Sequence, residues 1–433
     1  MSNNSYEEDY KNIVRDVLEN GEWSDNRTGI RTKSINGMML KADLREGFPI
    51  LTSSKRGYKY VAAELECFIK GITDKRMFQN RNCHIWDEWC NPKKVPYAHD
   101  EETKKRMMEE PDLGKVYGYN WNNYEGSENK VIYISGDKFS HIKLADLSLY
   151  TLTKDDLNLQ NILNKSEHWR RFKRSYNEEC LVKIHEFWKY AYEQKCLCEE
   201  WIDYDTYIVD VVQLPQFVAF IREPYKYKLT PQYYKSEVYS KETCVFAANH
   251  QLLYNMSLNS ETDKKDEDKI PVFALPVNQL KEIIDTARKD PSSRRLLCNA
   301  WHPCLVDEMS LTPCVYAWQL IINKESGYAD LVYYQRSADL LLGVPANMSS
   351  YSMLLILLCK ELGYTPRYVS AMMSNVHIYE NHIEGAKILL DREVFDLPEI
   401  ELTRFESIYT FEYTDFNLKN YKCGDKINFD VAV

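Results

Sequence analysis

The sequence predicts a mixed α/β protein in which a large insertion interrupts the main domain. Two observations predict the mixed class: some segments repeat apolar residues at helical spacing, whereas others are short apolar runs bounded by turn residues. A third observation predicts the insertion, namely a mid-chain change to charged residues and tyrosines with no sustained core pattern. We place the main domain at residues 1–124 and 276–433 and an inserted small domain at residues 125–275.

The N-terminal part predicts a loop and a helix. The segment Asp25-Asn26-Arg27-Thr28-Gly29 has the composition of a turn, so it presents an arginine on a loop. A helix is predicted from about Tyr58 to Lys70, because its apolar residues recur at helical spacing and a glycine follows its end.

The C-terminal part predicts two helices and two strands. An amphipathic helix is expected to begin near Pro276. Strand-like runs cover Val315 to Ile322 and Ala329 to Tyr334, with turn-forming residues between them. A buried helix is predicted from about Ser350 to Leu362, where a glycine stops it.

Composition and charge narrow the class of protein. The chain has 433 residues, of which 44% are hydrophobic, so it reads as globular and can bury a large core. The net charge is -10 and there is no sustained Lys/Arg tract, which disfavours binding to a nucleic-acid polymer. A mononucleotide stays compatible, since a few arginines are enough to hold one phosphate.

The sequence also predicts a compartment. The first residues are polar and acidic without an apolar core, which argues against a signal peptide, and the longest apolar run, near Met353 to Leu358, is too short to span a bilayer. The 12 cysteines are scattered, which favours free thiols in a reducing compartment. We therefore expect a cytoplasmic protein.

Four chemically active side chains follow one another in the C-terminal part: Cys314, Arg336, Asp339 and Asn347. This set suits the addition of a carbon to C5 of a uracil nucleotide, because C5 becomes nucleophilic once a thiolate adds at C6. Arg336 can hold a phosphate and favour the thiolate, and Asn347 can pair with both N3–H and O4 of uracil. Taken singly, Cys314 could equally be a small buried residue, and Asn347 a turn residue after a proline.

Further polar residues fit the same chemistry less specifically. Arg27, Arg294, Arg295 and Arg336 could form a phosphate site, although the adjacent pair alone is more typical of a solvated face. Glu64 falls within an apolar helix, where a carboxylate is costly unless it is used or paired. Cysteine pairs at zinc-like spacing are lacking, so no metal is expected.

Together these segments resemble the thymidylate synthase family. The resemblance covers roughly residues 20–124 and 276–433, and the matching positions occur in family order. They include Thr32 to Thr52, Glu64, Trp86, Trp89, Tyr117, Ser293-Arg294-Arg295, Cys314, Gln335-Arg336-Ser337, Asp339, Asn347, His377 and Tyr379, and the apolar tail Val431-Ala432-Val433. The resemblance implies a thymidylate synthase-like fold, with a mixed sheet and packed helices, in an obligate homodimer.

The resemblance also implies roles for individual residues. Cys314 would be the nucleophile at C6, Glu64 would organise water and proton transfer, and Tyr117 would assist removal of the C5 proton. The implied nucleotide contacts are Arg27, Gln335, Arg336 and Ser337, then Arg294 and Arg295 from the other subunit, Asn347 for uracil, and His377 and Tyr379 for the ribose. The implied contacts to the co-substrate 5,10-methylenetetrahydrofolate are Ile85, Trp86, Asp339 (also counted as catalytic), Leu342, Gly343, Ala346 and Val433.

Three departures from the family pattern change the expected product. Val315 follows the nucleophile where synthases usually have histidine, Ala346 precedes the base-reading asparagine in place of an aromatic, and Cys67 replaces a tryptophan. A synthase must keep water away from an exocyclic methylene intermediate until hydride arrives. Small residues near that intermediate would admit water and give 5-hydroxymethyl-dUMP. We therefore expect a dUMP hydroxymethylase of the phage type; an ordinary thymidylate synthase making dTMP and dihydrofolate is the alternative.

The insertion carries weaker signals. Its stretches Cys198 to Trp201 and Val238 to Phe246 faintly resemble HNH-type endonuclease domains of phages, but the metal-binding residues of such domains are not evident. We interpret the insertion as a degenerate, structural graft that ends in a solvated linker, Asn259 to Lys269. A third hypothesis for the whole chain, a catalytically weak scaffold, is disfavoured by the complete set of candidate site residues.

Overall fold

The chain divides into two compact units. The computed structural model describes residues 4–98, 100–125, 131–135, 174–194, 196–214, 216–231, 238–241, 244–248, 269–273 and 276–430. The first unit comprises Met1–Ile69, Thr73–Gly118 and Gln279–Val433, and the second comprises Lys70–Ile72 and Tyr119–Asn278.

The first unit contains a six-stranded mixed sheet. Its strands are β1 (Glu22–Ser24), β2 (Thr32–Asp43), β7 (Leu297–Asn299), β8 (Val315–Asn323), β9 (Tyr328–Asp339) and β10 (Thr365–Tyr379), in the order β1-β2-β10-β9-β8-β7. Strands β9 and β10 are parallel and every other pair is antiparallel. A small antiparallel pair, β11 (Glu399–Leu402) with β12 (Phe416–Lys419), lies in the same unit. The mixed α/β class is confirmed.

The helices of the first unit are α1 (Ser5–Asn20), α2 (Lys59–Ile69), α3 (Lys75–Gln79), α4 (Glu101–Glu109), α9 (Gln279–Lys289), α10 (Gly343–Leu362) and α11 (Ile383–Asp391). The short helix α5 (Gly118–Asn122) spans the boundary between the units. The predicted helix near residues 58–70 is confirmed as α2. Helix α9 begins three residues after Pro276, because Val277 forms a β-bridge with Tyr124 instead.

Helix α10 corrects one prediction. It begins at Gly343, seven residues before the expected start, and ends at Gly363 in the left-handed conformation (φ 78°). Pro345 stands in its first turn, where a missing backbone N–H breaks no helical hydrogen bond. The ring of Tyr351 on α10 stacks on Tyr333 of β9 at 4.5 Å, so the helix covers the sheet directly behind the candidate site strands.

The second unit has its own aromatic core. Its described elements are α6 (Glu178–Glu193), α7 (Tyr204–Val211) and α8 (Phe217–Arg222), with the antiparallel pairs β3 (Val131–Ser135)–β6 (Lys269–Phe273) and β4 (Tyr227–Pro231)–β5 (Cys244–Ala248). Trp188, Trp201 and Phe220 are fully buried. The expectation of no sustained core pattern is therefore wrong for the described part, because large aromatic residues on short helices build this core without a long aliphatic period. The linker predicted at Asn259 to Lys269 lies outside the described residues except for its last residue.

No helix among the described residues is long and apolar enough to cross a membrane.

Candidate active site

The candidate nucleophile lies where the chain enters β8. Cys314 immediately precedes the strand, and its backbone N–H donates a hydrogen bond of 2.9 Å to the hydroxyl oxygen of Tyr117. Tyr117 has a positive φ of 32°, which is strained for a tyrosine, and its ring stacks on Phe68 of α2 at 4.8 Å. The stacking holds Tyr117 in its strained conformation. Tyr117 is thereby kept in contact with Cys314, although the two residues are far apart in sequence.

Opposing effects act on the Cys314 thiol. Burial raises its pKa above the usual value, whereas the Arg336 guanidinium, the Tyr117 hydroxyl and Arg27 each lower it. The expectation that arginine favours the thiolate is correct in direction, but burial outweighs it in the free protein.

Strand β9 brings Arg336 beside the nucleophile. The backbone N–H of Arg336 donates to the carbonyl oxygen of Cys314 at 2.7 Å. Its guanidinium donates to both the carbonyl and the hydroxyl oxygen of Thr312 at 3.2 Å and lies 5.5 Å from the Trp301 ring centre. Within the described part of the chain it forms no ion pair, so its charge is available to an anion.

Gln335 and Ser337 flank Arg336 on the same strand. The Gln335 side chain is buried and its Nε2 donates to the Ser337 carbonyl oxygen at 3.0 Å. Its Oε1 is buried without a hydrogen-bond partner among the described residues. A buried acceptor without a donor is costly, which is typical of a ligand-binding position.

Arg27 reaches the same region from the loop after β1. It is exposed, and its guanidinium lies 5.7 Å from the ring centre of Trp89 and 5.9 Å from that of Tyr97. Its charge lowers the pKa of Cys314 and of Tyr379, so it belongs to the same cluster. It too lacks an ion-pair partner in the part of the chain that the structure describes.

Glu64 lies on α2 with its carboxylate held by one partner. The indole Nε1 of the buried Trp86 donates to Glu64 Oε1 at 2.8 Å. Burial raises the pKa of Glu64 to about 7, and the hydrogen bond from Trp86 lowers it by less. A carboxyl group that titrates near neutrality can both accept and return a proton, as proton transfer around a base requires.

Asp339 is the last residue of β9, and Asn347 lies near the start of α10. Asp339 Oδ1 accepts hydrogen bonds from the backbone N–H groups of Leu341 (3.0 Å) and Leu342 (3.3 Å). Asn347 is partly exposed and belongs to the second turn of the helix, so the alternative that it is a loop residue is wrong. The helix, rather than a turn, sets the direction of its amide.

His377 and Tyr379 end the neighbouring strand β10. His377 pairs with Asp339 in the parallel ladder, and its Nδ1 lies 2.9 Å from Asn375 Oδ1. Burial lowers the pKa of His377, while Asp339 raises it by less. A neutral His377 with Nδ1–H bonded to Asn375 would leave Nε2 as an acceptor.

Arg294 and Arg295 do not join the cluster within one chain. They precede β7, and the Arg294 carbonyl accepts from the side chain of Gln319. Gln319 is five residues along β8 from Cys314, which corresponds to roughly 17 Å of strand. An arginine side chain is too short to cover that distance.

The residues implied in folate binding lie beside the cluster, as far as they are described. Trp86 is buried, and Ile85 next to it is 45% exposed. Leu342, Gly343 and Ala346 are partly exposed at the start of α10, and Val433 lies outside the described residues. Of the two other departures, Val315 and Cys67 are both buried.

Sequence reasoning missed several supporting residues. Phe68 beneath Tyr117, Thr312 and Trp301 beside Arg336, and Asn375 at His377 were not singled out. No motif marks them, because their role depends on contacts between distant segments. Among the described residues there is also no group of three or more His, Cys, Asp or Glu side chains that could hold a metal ion.

The mixed sheet thus brings a cysteine, two arginines and a buried carboxyl group into one cluster. The family model described as thymidylate synthase matches residues 8–172 and 235–433. The chain therefore belongs to the thymidylate synthase family, whose members transfer a one-carbon unit to dUMP with methylenetetrahydrofolate as co-substrate.

Curated relatives span the chain. A thymidylate synthase of Mesoplasma florum is 26% identical over 424 residues, which cover 98% of this chain and 99% of the relative. A thymidylate synthase of Pseudomonas putida is 25% identical over 394 residues (91% and 86%), and one of Pseudomonas syringae pv. tomato is 24% identical over 436 residues (98% and 99%).

Proposed function

We propose that this chain transfers the one-carbon unit of methylenetetrahydrofolate to C5 of dUMP and that water ends the reaction. The products would be 5-hydroxymethyl-dUMP and tetrahydrofolate. The observation that supports one-carbon transfer most is the convergence of Cys314, Tyr117 and Arg336, whose guanidinium forms no ion pair with any described residue. The observation that favours water is the small, partly exposed Ala346, which leaves the base-reading end of α10 without an aromatic cover.

The site residues would act in sequence. Arg336 and Arg27 would hold the phosphate, together with Gln335 and Ser337, while His377 and Tyr379 would bind the ribose. Asn347 would accept from N3–H of uracil and donate to O4, which excludes cytosine because its donor pattern is reversed. The Cys314 thiolate would then add to C6, so that C5 gains the electron density needed to attack the one-carbon unit.

Proton transfer would follow at C5. Tyr117, which is held against the backbone of Cys314, would assist removal of the C5 proton through water. The electron pair of that C–H bond would form the double bond to the exocyclic methylene carbon as tetrahydrofolate leaves. Glu64, with its pKa near neutrality, would organise the water that adds to the exocyclic methylene carbon. Departure of the Cys314 thiolate from C6 would release the product, so that one water is consumed and no oxidant or reductant is needed.

The proposed folate contacts rest on the resemblance to the thymidylate synthase family. Ile85, Trp86, Asp339, Leu342, Gly343, Ala346 and Val433 would line the folate side of the site. When bound, methylenetetrahydrofolate supplies the carbon atom and, in the alternative reaction, the hydride.

The alternative is the synthase reaction, in which hydride from the folate gives dTMP and dihydrofolate. The observation that favours it is that the three relatives named above are all called thymidylate synthases. Mass spectrometry of the nucleotide formed from dUMP, with absorbance of dihydrofolate followed in parallel, separates the two reactions. Hydroxymethyl-dUMP without dihydrofolate supports the proposal, and dTMP with equimolar dihydrofolate overturns it. An Ala346→Trp variant is the matched control. It should shift the product toward dTMP if access of water to the methylene intermediate determines which product forms.

We also propose that the enzyme works as a homodimer with shared sites. One face of the sheet exposes a row of apolar side chains: Met39 (57% exposed) and Met372 (41%) face each other in register, and Tyr334 follows on β9. Ile321 and Leu297 are also exposed on β8 and β7. A second copy packed on this face would bury the row and could carry Arg294 and Arg295 to the partner's phosphate site.

The inserted domain, residues 125–275, contributes no residue to these proposed roles. We propose that it is a structural graft whose described part is stabilised by its own aromatic core.

A further inference from the structure

Lys75 is a buried cation that the proposed chemistry does not use. Its side chain is 1% exposed at the start of α3. A buried ammonium is costly unless its charge or its N–H groups are satisfied. Within the described part of the chain it forms no ion pair with a carboxylate; it is satisfied in another way.

The ammonium group uses all three of its donors on backbone carbonyls. Nζ lies 2.9 Å from the carbonyl oxygen of Asp87, 3.1 Å from that of Trp89 and 2.6 Å from that of Met107. Three converging carbonyl oxygens match the three N–H groups of an ammonium. A neutral side chain at this position would leave all three oxygens without that donor.

Two of those carbonyls, of Asp87 and Trp89, belong to the turn at residues 86–89, which carries two site contacts. Trp86, at one end, donates to the carboxylate of Glu64. Trp89, at the other end, is one of the two aromatic rings against which the Arg27 guanidinium packs. The third carbonyl belongs to α4, so the turn is tied to a helix that takes no part in the site.

We propose that Lys75 is a positioning residue that holds the turn at residues 86–89 so that Arg27 and Glu64 keep their places in the active site. The inference rests on the proposed function, in which Arg27 binds the nucleotide phosphate. Lys75 itself touches neither substrate; it acts through the backbone of Asp87 and Trp89.

The test is the affinity of Lys75→Met for dUMP and for deoxyuridine, measured by calorimetry on the full chain without folate. Methionine keeps most of the volume and removes the donors. If the turn positions Arg27, dUMP should bind about tenfold more weakly, whereas deoxyuridine, which lacks the phosphate, should be unaffected within about twofold. A purely structural role would weaken both ligands alike or neither.

A matched control is available in Lys11→Met. Lys11 is also buried (4% exposed) and its Nζ also donates to backbone carbonyls, those of Leu390 and Arg392. It lies on α1, away from the turn at residues 86–89. Lys11→Met should lose stability without changing the ratio of dUMP to deoxyuridine affinity.

A second experiment measures the dUMP affinity of an Arg27→Ala variant. In the double variant with Lys75→Met the loss of dUMP affinity should equal that of Arg27→Ala alone, since both changes act through one contact. Additive losses, or an unchanged affinity ratio in a folded Lys75→Met, would overturn the proposal. If Lys75→Met does not fold, Trp89→Leu, which removes the ring and keeps the carbonyl, must reproduce the selective loss of dUMP.

Failure of the proposed function would look different. If the unaltered protein binds no dUMP, the nucleotide site itself is wrong. Hydrogen exchange of the peptide that covers residues 84–91 still tests the local claim, because Lys75→Met should speed exchange there and Lys11→Met should not.

Discussion

At the scale of single residues, burial and the neighbouring polar groups have opposite effects on the pKa values of the site's titratable groups. Cys314 has a raised pKa because its desolvation outweighs the nearby arginines, and Glu64 has a pKa near 7 because its desolvation outweighs the hydrogen bond from Trp86. Because these shifts depend on the groups that surround each side chain, single substitutions of those groups should change them.

Replacing Arg336 by glutamine should make Cys314 harder to ionise. The guanidinium lowers the thiol pKa, so its loss should move the pH midpoint of Cys314 alkylation upward. The midpoint is measured by peptide mass spectrometry after timed iodoacetamide labelling. Exposed Cys304 serves as the internal control. An unmoved midpoint would mean that Arg336 does not act on the thiol.

Replacing Glu64 by glutamine should stabilise the fold above neutral pH. The carboxyl has a folded pKa of about 7 against an ordinary value of 4.5, so the folded state retains a proton that the unfolded state releases. The charged form therefore costs stability increasingly from pH 4.5 to 7, and the full cost persists above that range. Glutamine avoids this cost of about 3 kcal/mol at pH 8 and gains nothing at pH 4.

Urea unfolding of both proteins at pH 4 and pH 8 checks the expectation. Equal differences at the two pH values would argue against a raised pKa. The same variant should lose at least about a hundredfold in formation of 5-hydroxymethyl-dUMP, because the group that organises the attacking water is gone.

At the scale of elements, close approach of α2 and α5 places Tyr117. Gly118 begins α5, and a Cβ atom built there would lie 2.2 Å from the carbonyl oxygen of Phe68. Only glycine permits that approach, and it allows the Tyr117 ring to stack on Phe68. Strands β8 and β9 then bring Cys314 and Arg336 to the same position.

Gly118→Ala should therefore separate the two helices. We expect a loss of about 3 kcal/mol in unfolding free energy and a large loss of C5 tritium release, since Tyr117 would move from Cys314. Chemical denaturation and the exchange assay measure the two effects. Gly343→Ala is the control for stability, because its Cβ would meet only ordinary contacts of 3.7 Å and more. Equal effects of the two substitutions would contradict this account.

At the scale of the whole molecule, the proposed dimer makes a prediction about mixing. A Cys314→Ala protein and an Arg294→Ala/Arg295→Ala protein should each be inactive alone. After joint unfolding and refolding, half of the dimers would be mixed and each mixed dimer would have one complete site. The mixture should therefore recover about a quarter of the unaltered activity.

Steady-state product formation by the refolded mixture checks this expectation. Refolding each variant separately is the control and should recover nothing. If the mixture also stays inactive while dimers form, the two arginines serve a site in their own chain or none.

The order of motifs along the chain was enough to predict the nucleophile, the family resemblance and most candidate residues, because a reaction needs particular side chains and their types are visible in sequence. Helix α2 and the two strands around Cys314 were likewise predictable from apolar spacing. The roles of those residues remain proposals that rest on the resemblance and the observed proximity.

Only the tertiary structure decided how those residues are held. It showed that burial outweighs Arg336 at the thiol and that Asn347 belongs to a helix. It also showed that Gln319, whose side chain donates to the Arg294 carbonyl, is roughly 17 Å along β8 from Cys314. It also revealed that the ammonium group of Lys75 is buried, which nothing in the surrounding sequence indicates. The physical reason is common to these cases: desolvation and convergence depend on what distant segments place around a group, and local sequence does not encode that.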